Sequence, residues 1–114
     1  MSMDLILYTA CAVSLPADLP ESEKWKNYGG AEWAYEADSW QVLVVVDDEF
    51  EVPAEALALE ARLSVTIPIT LEPIGADRSG YQFLDQTVQA LVHVCGAGIL
   101  EGPDGYRRVS VERK

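Results

Sequence analysis

Histidine is almost missing from this chain, with His93 its single example. Because His is the side chain whose unperturbed pKa lies nearest neutrality, its scarcity leaves little ordinary general acid–base chemistry. His93 falls on the polar side of an amphipathic segment, which predicts a solvated side chain that cannot pair with Cys95. Cysteine is nearly as scarce. Cys11 and Cys95 are too few for a disulfide scaffold and too distant in sequence for a CxxC redox or zinc half-site. Two buried free thiols are expected, since a bridge would require export.

Bases are also in short supply. Lys and Arg number 8 against 19 Asp and Glu, a net charge of −11. Direct contact with DNA, RNA or an anionic membrane surface would bring like charges together, so neither nucleic acid nor membrane is an expected partner. No stretch approaches the ~20 continuous apolar residues of a membrane helix. The opening MSMDLILYTACAVSLP has the apolar length of a signal peptide, yet no base precedes it and Asp4 occupies the place of a positive n-region. It reads as a first strand, and a cytoplasmic location is expected.

Cofactor motifs are absent as well. The glycines form neither GxGxxG nor GxxxxGK[ST], and turn or helix-stop duty accounts for Gly29, Gly30, Gly96, Gly98, Gly102 and Gly105. Asp47, Asp48, Glu49 and Glu51 lack the spacing of a calcium loop. No catalytic residue, metal or cofactor is expected.

What the chain does contain is one domain's worth of core. It has 114 residues, 49% of them apolar, and apolar runs recur from end to end, which predicts a single domain over 1–114. Residues 4–13 are apolar on both alternating faces and predict a central strand. Pro20 and Gly29-Gly30 bracket a short predicted helix near 20–28, with Trp25 and Tyr28 as its buried stripe. Two strands follow, joined by a turn at Asp38-Ser39. In the first, Trp33 and Tyr35 oppose Glu32, Glu36 and Asp38; the second runs from Trp40 to Val46. Pro53 opens a short helix.

Strict alternation from Leu63 to Leu71 predicts a half-buried strand, placed at an edge or bulged because Pro68 has no N–H. A capping box of Ser79 and Gln82 predicts a long helix over 80–95, with Tyr81, Leu84, Val88, Leu91, Val92 and Cys95 facing the core. A C-terminal hairpin follows, with Pro103 at turn position i+1 and Gly105 at i+3. The expected fold is α+β: a two-layer sandwich with a mainly antiparallel sheet of five to six strands. The long helix and one or two short ones pack on one face, and a ferredoxin-like core with an added hairpin is a special case.

The acids are unevenly placed. Residues 1–60 hold 13 acids and 2 bases, whereas residues 61–114 hold 6 of each. Glu32, Glu36, Asp38, Asp47, Asp48, Glu49 and Glu51 are therefore the candidate partner-binding residues, a single-sign field suited to steering a basic protein. Size and charge suit an immunity-type or inhibitor protein of bacterial or phage type, an analogy of class only. Two alternatives stand beside it: a small enzyme or ligand-binding domain with a pocket between sheet and long helix, and an acidity that serves solubility alone. Homo-oligomers through an exposed edge strand are compatible with each.

Overall fold

The computed structural model describes residues 2–47, 51–72 and 78–109. They form β1 (Met3–Thr9), β2 (Lys26–Asn27), β3 (Glu32–Glu36), β4 (Gln41–Val45), α1 (Ala54–Leu59), β5 (Val65–Glu72), α2 (Arg78–Cys95), β6 (Gly98–Gly102) and β7 (Gly105–Val109). All seven strands join one sheet in the order β2-β3-β4-β5-β1-β6-β7, and every neighbouring pair is antiparallel.

The α+β class and the antiparallel sheet agree with expectation; the strand count is larger, because β2 adds a seventh. The chain passes from β5 through α2 to β6, and these two strands flank β1, which makes one split βαβ unit. A ferredoxin-like core needs two such units, and the first half of this chain builds its strands by hairpins instead.

Successive side chains on a strand alternate between the faces, so register decides what meets α2. Val42, Val44, Ile67, Ile69, Leu71, Leu7 and Leu100 lie on one face and pack with Phe83, Leu84, Val88, Leu91 and Val92 of α2. Ile67, Ile69, Leu91 and Val92 are wholly buried. At one end of this layer Trp25, Tyr35, Trp40 and Phe83 stack, the Tyr35 and Phe83 rings 4.2 Å apart.

The short helix α1 does not share that face. Ala56 and Leu59 pack with Tyr8, Ile99, Leu63, Ile6 and Tyr106 on the opposite side, so helices cover both faces, contrary to the one-sided arrangement expected. Leu63 therefore parts company with Ile67, Ile69 and Leu71: it precedes the strand and turns toward α1.

Other expectations are corrected by tertiary contacts. The helix over 20–28 is a single 3₁₀ turn at Ser22–Lys24, after which Lys26 and Asn27 pair with Ala34 and Trp33. Nine residues fall short of the ~12 an isolated helix needs. Trp25 instead drops into the core and donates its indole N–H to the Pro20 carbonyl at 2.7 Å. Tyr28 stays 55% exposed, because sheet pairing turns it away from Trp25.

β5 is interior, between β4 and β1. Its ladder to β4 runs to Val44–Ile69 and resumes only at the Asp47–Thr66 bridge, so the gap falls opposite Pro68. An interior proline is tolerated where the partner strand leaves its missing N–H unanswered.

α2 begins at Arg78, which puts Ser79 inside the helix; its hydroxyl accepts the Trp40 indole N–H at 3.0 Å. Phe83 and Thr87 join the buried face, whereas Tyr81 is 37% exposed. Gly96, at φ +80°, ends the helix with its N–H donating to the Val92 carbonyl. β1 stops at Thr9 rather than continuing to Val13. Beyond it Cys11 is bonded to Cys95, with Cα atoms 5.5 Å apart, which replaces the two expected free thiols. The pairing is geometric: the loop leaving β1 passes the C-terminus of α2.

Candidate functional site

The sheet face turned away from α2 can be mapped row by row from the register. Nearest the β3–β4 turn, Glu36 lies opposite Gln41, and Gln41 opposite Glu72. The next row holds Ala34, Leu43, Thr70 and Asp4. Then come Glu32 opposite Val45 on one side, and Pro68, Ile6, Glu101 and Tyr106 on the other. The last row holds Asp47, Thr66, Tyr8, Ile99 and Arg108. Rows are about 7 Å apart and neighbouring strands about 4.8 Å apart, so Glu36 and Glu72 stand about 10 Å from one another. α1 covers the part of this face made by Tyr8, Ile99 and Tyr106; on the β3–β4–β5 part Glu32 and Glu36 are exposed, Gln41, Thr70 and Glu72 are half-buried, and Ala34 is buried between them.

Glu32, Glu36 and Asp38 are all exposed. Glu32 and Glu36 share the open face, and Asp38 sits in the turn that Ala37 N–H closes onto the Trp40 carbonyl. Asp47 lies on the same face but is half-buried at the margin of the α1 cover, and its backbone N–H donates to Thr66. Glu51 is exposed in the segment leading to α1. Asp48 and Glu49 lie outside the described residues.

Register adds four residues that charge counting passed over: Asp4, Gln41, Glu72 and Glu101. Glu72 stood in the polar half of the β5 alternation, which was a usable signal. Asp4 and Glu101 stood in apolar strands, where a lone acid says little until the neighbouring strands are known.

Among the described residues two cations share the face, Lys26 and Arg108, and each is engaged. Lys26 Nζ lies 3.6 Å from Glu36, and Arg108 lies 3.9 Å from Glu60 while donating to the Leu59 carbonyl. Against them stand Asp4, Glu32, Glu36, Asp47, Glu72 and Glu101, so the face is net negative.

Several of these carboxylates are held in place by neutral donors. Tyr28 hydroxyl donates to Glu36, Thr70 hydroxyl to Asp4 at 3.0 Å, and the Gln41 amide to Glu72. The Tyr28 hydrogen bond, with Lys26 beside it, keeps the Glu36 carboxyl below its ordinary pKa, and the same bond raises that of Tyr28. At the α1 end Tyr8 donates to Glu101 at 2.6 Å; burial, then this bond, raises the Tyr8 pKa. Burial, followed by hydrogen bonds to Glu55 and Glu101, pushes Tyr106 up to about 12. Carboxylates fixed in this way present a preorganised field and lose little side-chain freedom when a cation arrives.

The row of Glu36, Gln41 and Glu72 borders a shallow depression of about 590 Å³, walled also by Ser2, Ser39 and Trp40. On the other side of the sheet, α2 and the β6–β7 hairpin enclose a cleft of about 510 Å³. Among the described residues no group of three or more His, Cys, Asp or Glu is placed to hold a metal ion, and no helix is long and apolar enough to cross a membrane. His93 is exposed. Comparison with protein families, with curated proteins and with solved structures finds no match to this chain.

Proposed function

We propose that this chain is a protein-binding module whose open sheet face, over β3, β4 and β5, receives a basic protein. The single observation that carries this reading is the arrangement of Glu32, Glu36 and Glu72 on one sheet face, beyond the part that α1 covers, where the cations among the described residues, Lys26 and Arg108, are already engaged. Complementary charge of this kind raises association rates and rejects acidic competitors. Tyr28, exposed beside Glu36, supplies an aromatic anchor of the type that dominates binding energy in protein interfaces. A nucleic acid or an anionic membrane would meet repulsion on the same face.

The immunity or inhibitor role is the most specific form of this reading, and its support is charge and size. As to location, the Cys11–Cys95 bond favours an oxidising compartment, where such bridges persist, over the cytoplasm.

Affinity capture from the source cell tests the proposal. Wild-type protein should retain a basic protein at low salt and release it at high salt. The Glu32→Gln, Glu36→Gln, Glu72→Gln variant should retain less of it. Equal capture by both proteins, insensitive to salt, would remove the open face from consideration.

A further inference from the structure

α2 lies over β4, β5 and β1, and the sheet continues past it into β6 and β7. At the tip of that last hairpin little fills the gap. Gly102 and Gly105 carry no side chain, and Met3, Leu5, Leu84, Val88 and Leu100 line an apolar cleft of about 510 Å³. This falls inside the ~300–1,000 Å³ range of small-molecule sites. A Cβ built at Gly102 would meet a Leu5 methyl at 3.3 Å, so a side chain there would crowd the wall of the cleft.

The rim carries charges of opposite sign from opposite walls. Asp85 comes from α2, one position past Leu84 and three before Val88, and Arg107 comes from β7 opposite Leu100. Asp104 adds a second carboxylate from the hairpin turn. All three are exposed, and none of them is in an ion pair among the described residues. An apolar lining calls for an apolar body. Asp85 on the α2 wall suits a cation and Arg107 on the hairpin wall suits an anion, while Asp104 beside Arg107 adds to the pull on the cation, so the body that matches the whole rim carries one charge of each sign.

We infer that this cleft binds a free apolar α-amino acid. Its side chain lies against Leu5, Leu84, Val88 and Leu100, its ammonium group faces Asp85 and Asp104, and its carboxylate takes the planar fork of Arg107. That fork matches carboxylate geometry as a lysine ammonium would not. The site is on the other face of the sheet from Glu32, Glu36 and Glu72, so it stands or falls independently of the proposed protein partner.

The test is a titration of the full chain followed by NMR of the Leu and Val methyl groups, with L-phenylalanine, phenethylamine and 3-phenylpropionate as probes. The last two keep the apolar body and lack the carboxylate and the ammonium group respectively. L-phenylalanine should bind saturably, moving the Leu84, Val88 and Leu100 methyls. Its affinity should exceed that of either single-charge probe by about tenfold or more, the worth of one charge-assisted contact. Asp85→Asn should reduce the advantage over 3-phenylpropionate, and Arg107→Gln should abolish the advantage over phenethylamine; both residues are exposed, so the folded spectrum should persist. Three probes of equal affinity, or no saturable movement of the cleft methyls with L-phenylalanine, L-leucine or L-tryptophan, would overturn the inference.

Discussion

Among the described residues Glu60 is the most strongly perturbed carboxylate. Its side chain accepts the Arg62 guanidinium at 2.8 Å and the Arg62 backbone N–H at 3.2 Å, with Arg108 beyond, and these hold its pKa at about 2. A carboxyl depressed in the folded state stabilises the fold above its ordinary value; that contribution is lost as pH falls through about 2. Carbon-13 titration of the Glu60 carboxyl should therefore give a midpoint near 2, moving up toward the ordinary range in Arg62→Ala. An unshifted wild-type midpoint would show that the pair does not form in solution.

Gly98 teaches a different lesson at the same scale. Composition reads it with Gly96 as a helix stop, yet only Gly96 has the left-handed φ. At Gly98 a Cβ would stand 2.9 Å from a Val92 methyl and 3.2 Å from the Tyr8 carbonyl, so the glycine is there for packing. Close approach between β6, β1 and α2 is a three-dimensional fact that no local pattern carries.

At the scale of elements, what was legible tracked how much each signal depended on distant partners. The alternation of β5, the long apolar stripe of α2, the Asp38-Ser39 turn and the Pro103–Gly105 hairpin are local patterns, and each appears in the structure. Around Trp25 the local helix signals lose to a buried indole and to pairing with β3. Pro68 forbids one hydrogen bond and so predicts an edge strand or a bulge; β5 is interior instead, and the interruption of the β4 ladder opposite Pro68 spares the protein from needing that bond. The two-sided cover of the sheet was half-visible: residues 4–13 are apolar on both faces, and Ile6 and Tyr8 meet α1 while Leu5 and Leu7 meet the α2 layer.

The contact between β5 and α2 carries the main core. Leu91→Ala and Ile67→Ala should each cost about 2–5 kcal/mol in urea unfolding, the usual loss for a fully buried aliphatic side chain. His93→Ala, on the exposed side of the same helix, should stay within about 0.5 kcal/mol of wild type. Equal effects at Leu91 and His93 would mean that α2 is rotated from the orientation described.

Across the whole molecule, the Cys11–Cys95 bond closes a loop spanning 84 residues of sequence. A cross-link of that span restricts the unfolded chain strongly, and its removal in Cys11→Ala, Cys95→Ala is expected to cost about 2–5 kcal/mol. Denaturation with and without reductant measures this, and two reactive thiols in the folded, unreduced protein would contradict the bond. Sequence separation alone gave no hint of the pairing, because the two cysteines meet only through the path of β1 and α2.

Charge is the other property of the whole. Counting located the excess in the first 60 residues, while register shows that a later residue, Glu72, completes the open face with Glu32 and Glu36. Asp47 sits at its margin and Asp38 in the turn beside it, so the acidic run of the sequence and the acidic face of the sheet overlap only in part.

The most direct measurement is the association rate between the captured basic protein and either wild type or the Glu32→Gln, Glu36→Gln, Glu72→Gln variant, at two salt concentrations. Screening shortens the reach of surface charges to about 8 Å at physiological ionic strength. The wild-type rate should therefore fall steeply with salt, the variant should associate more slowly at low salt, and the two should converge at high salt. A rate independent of both salt and substitution would contradict recognition through the open acidic face.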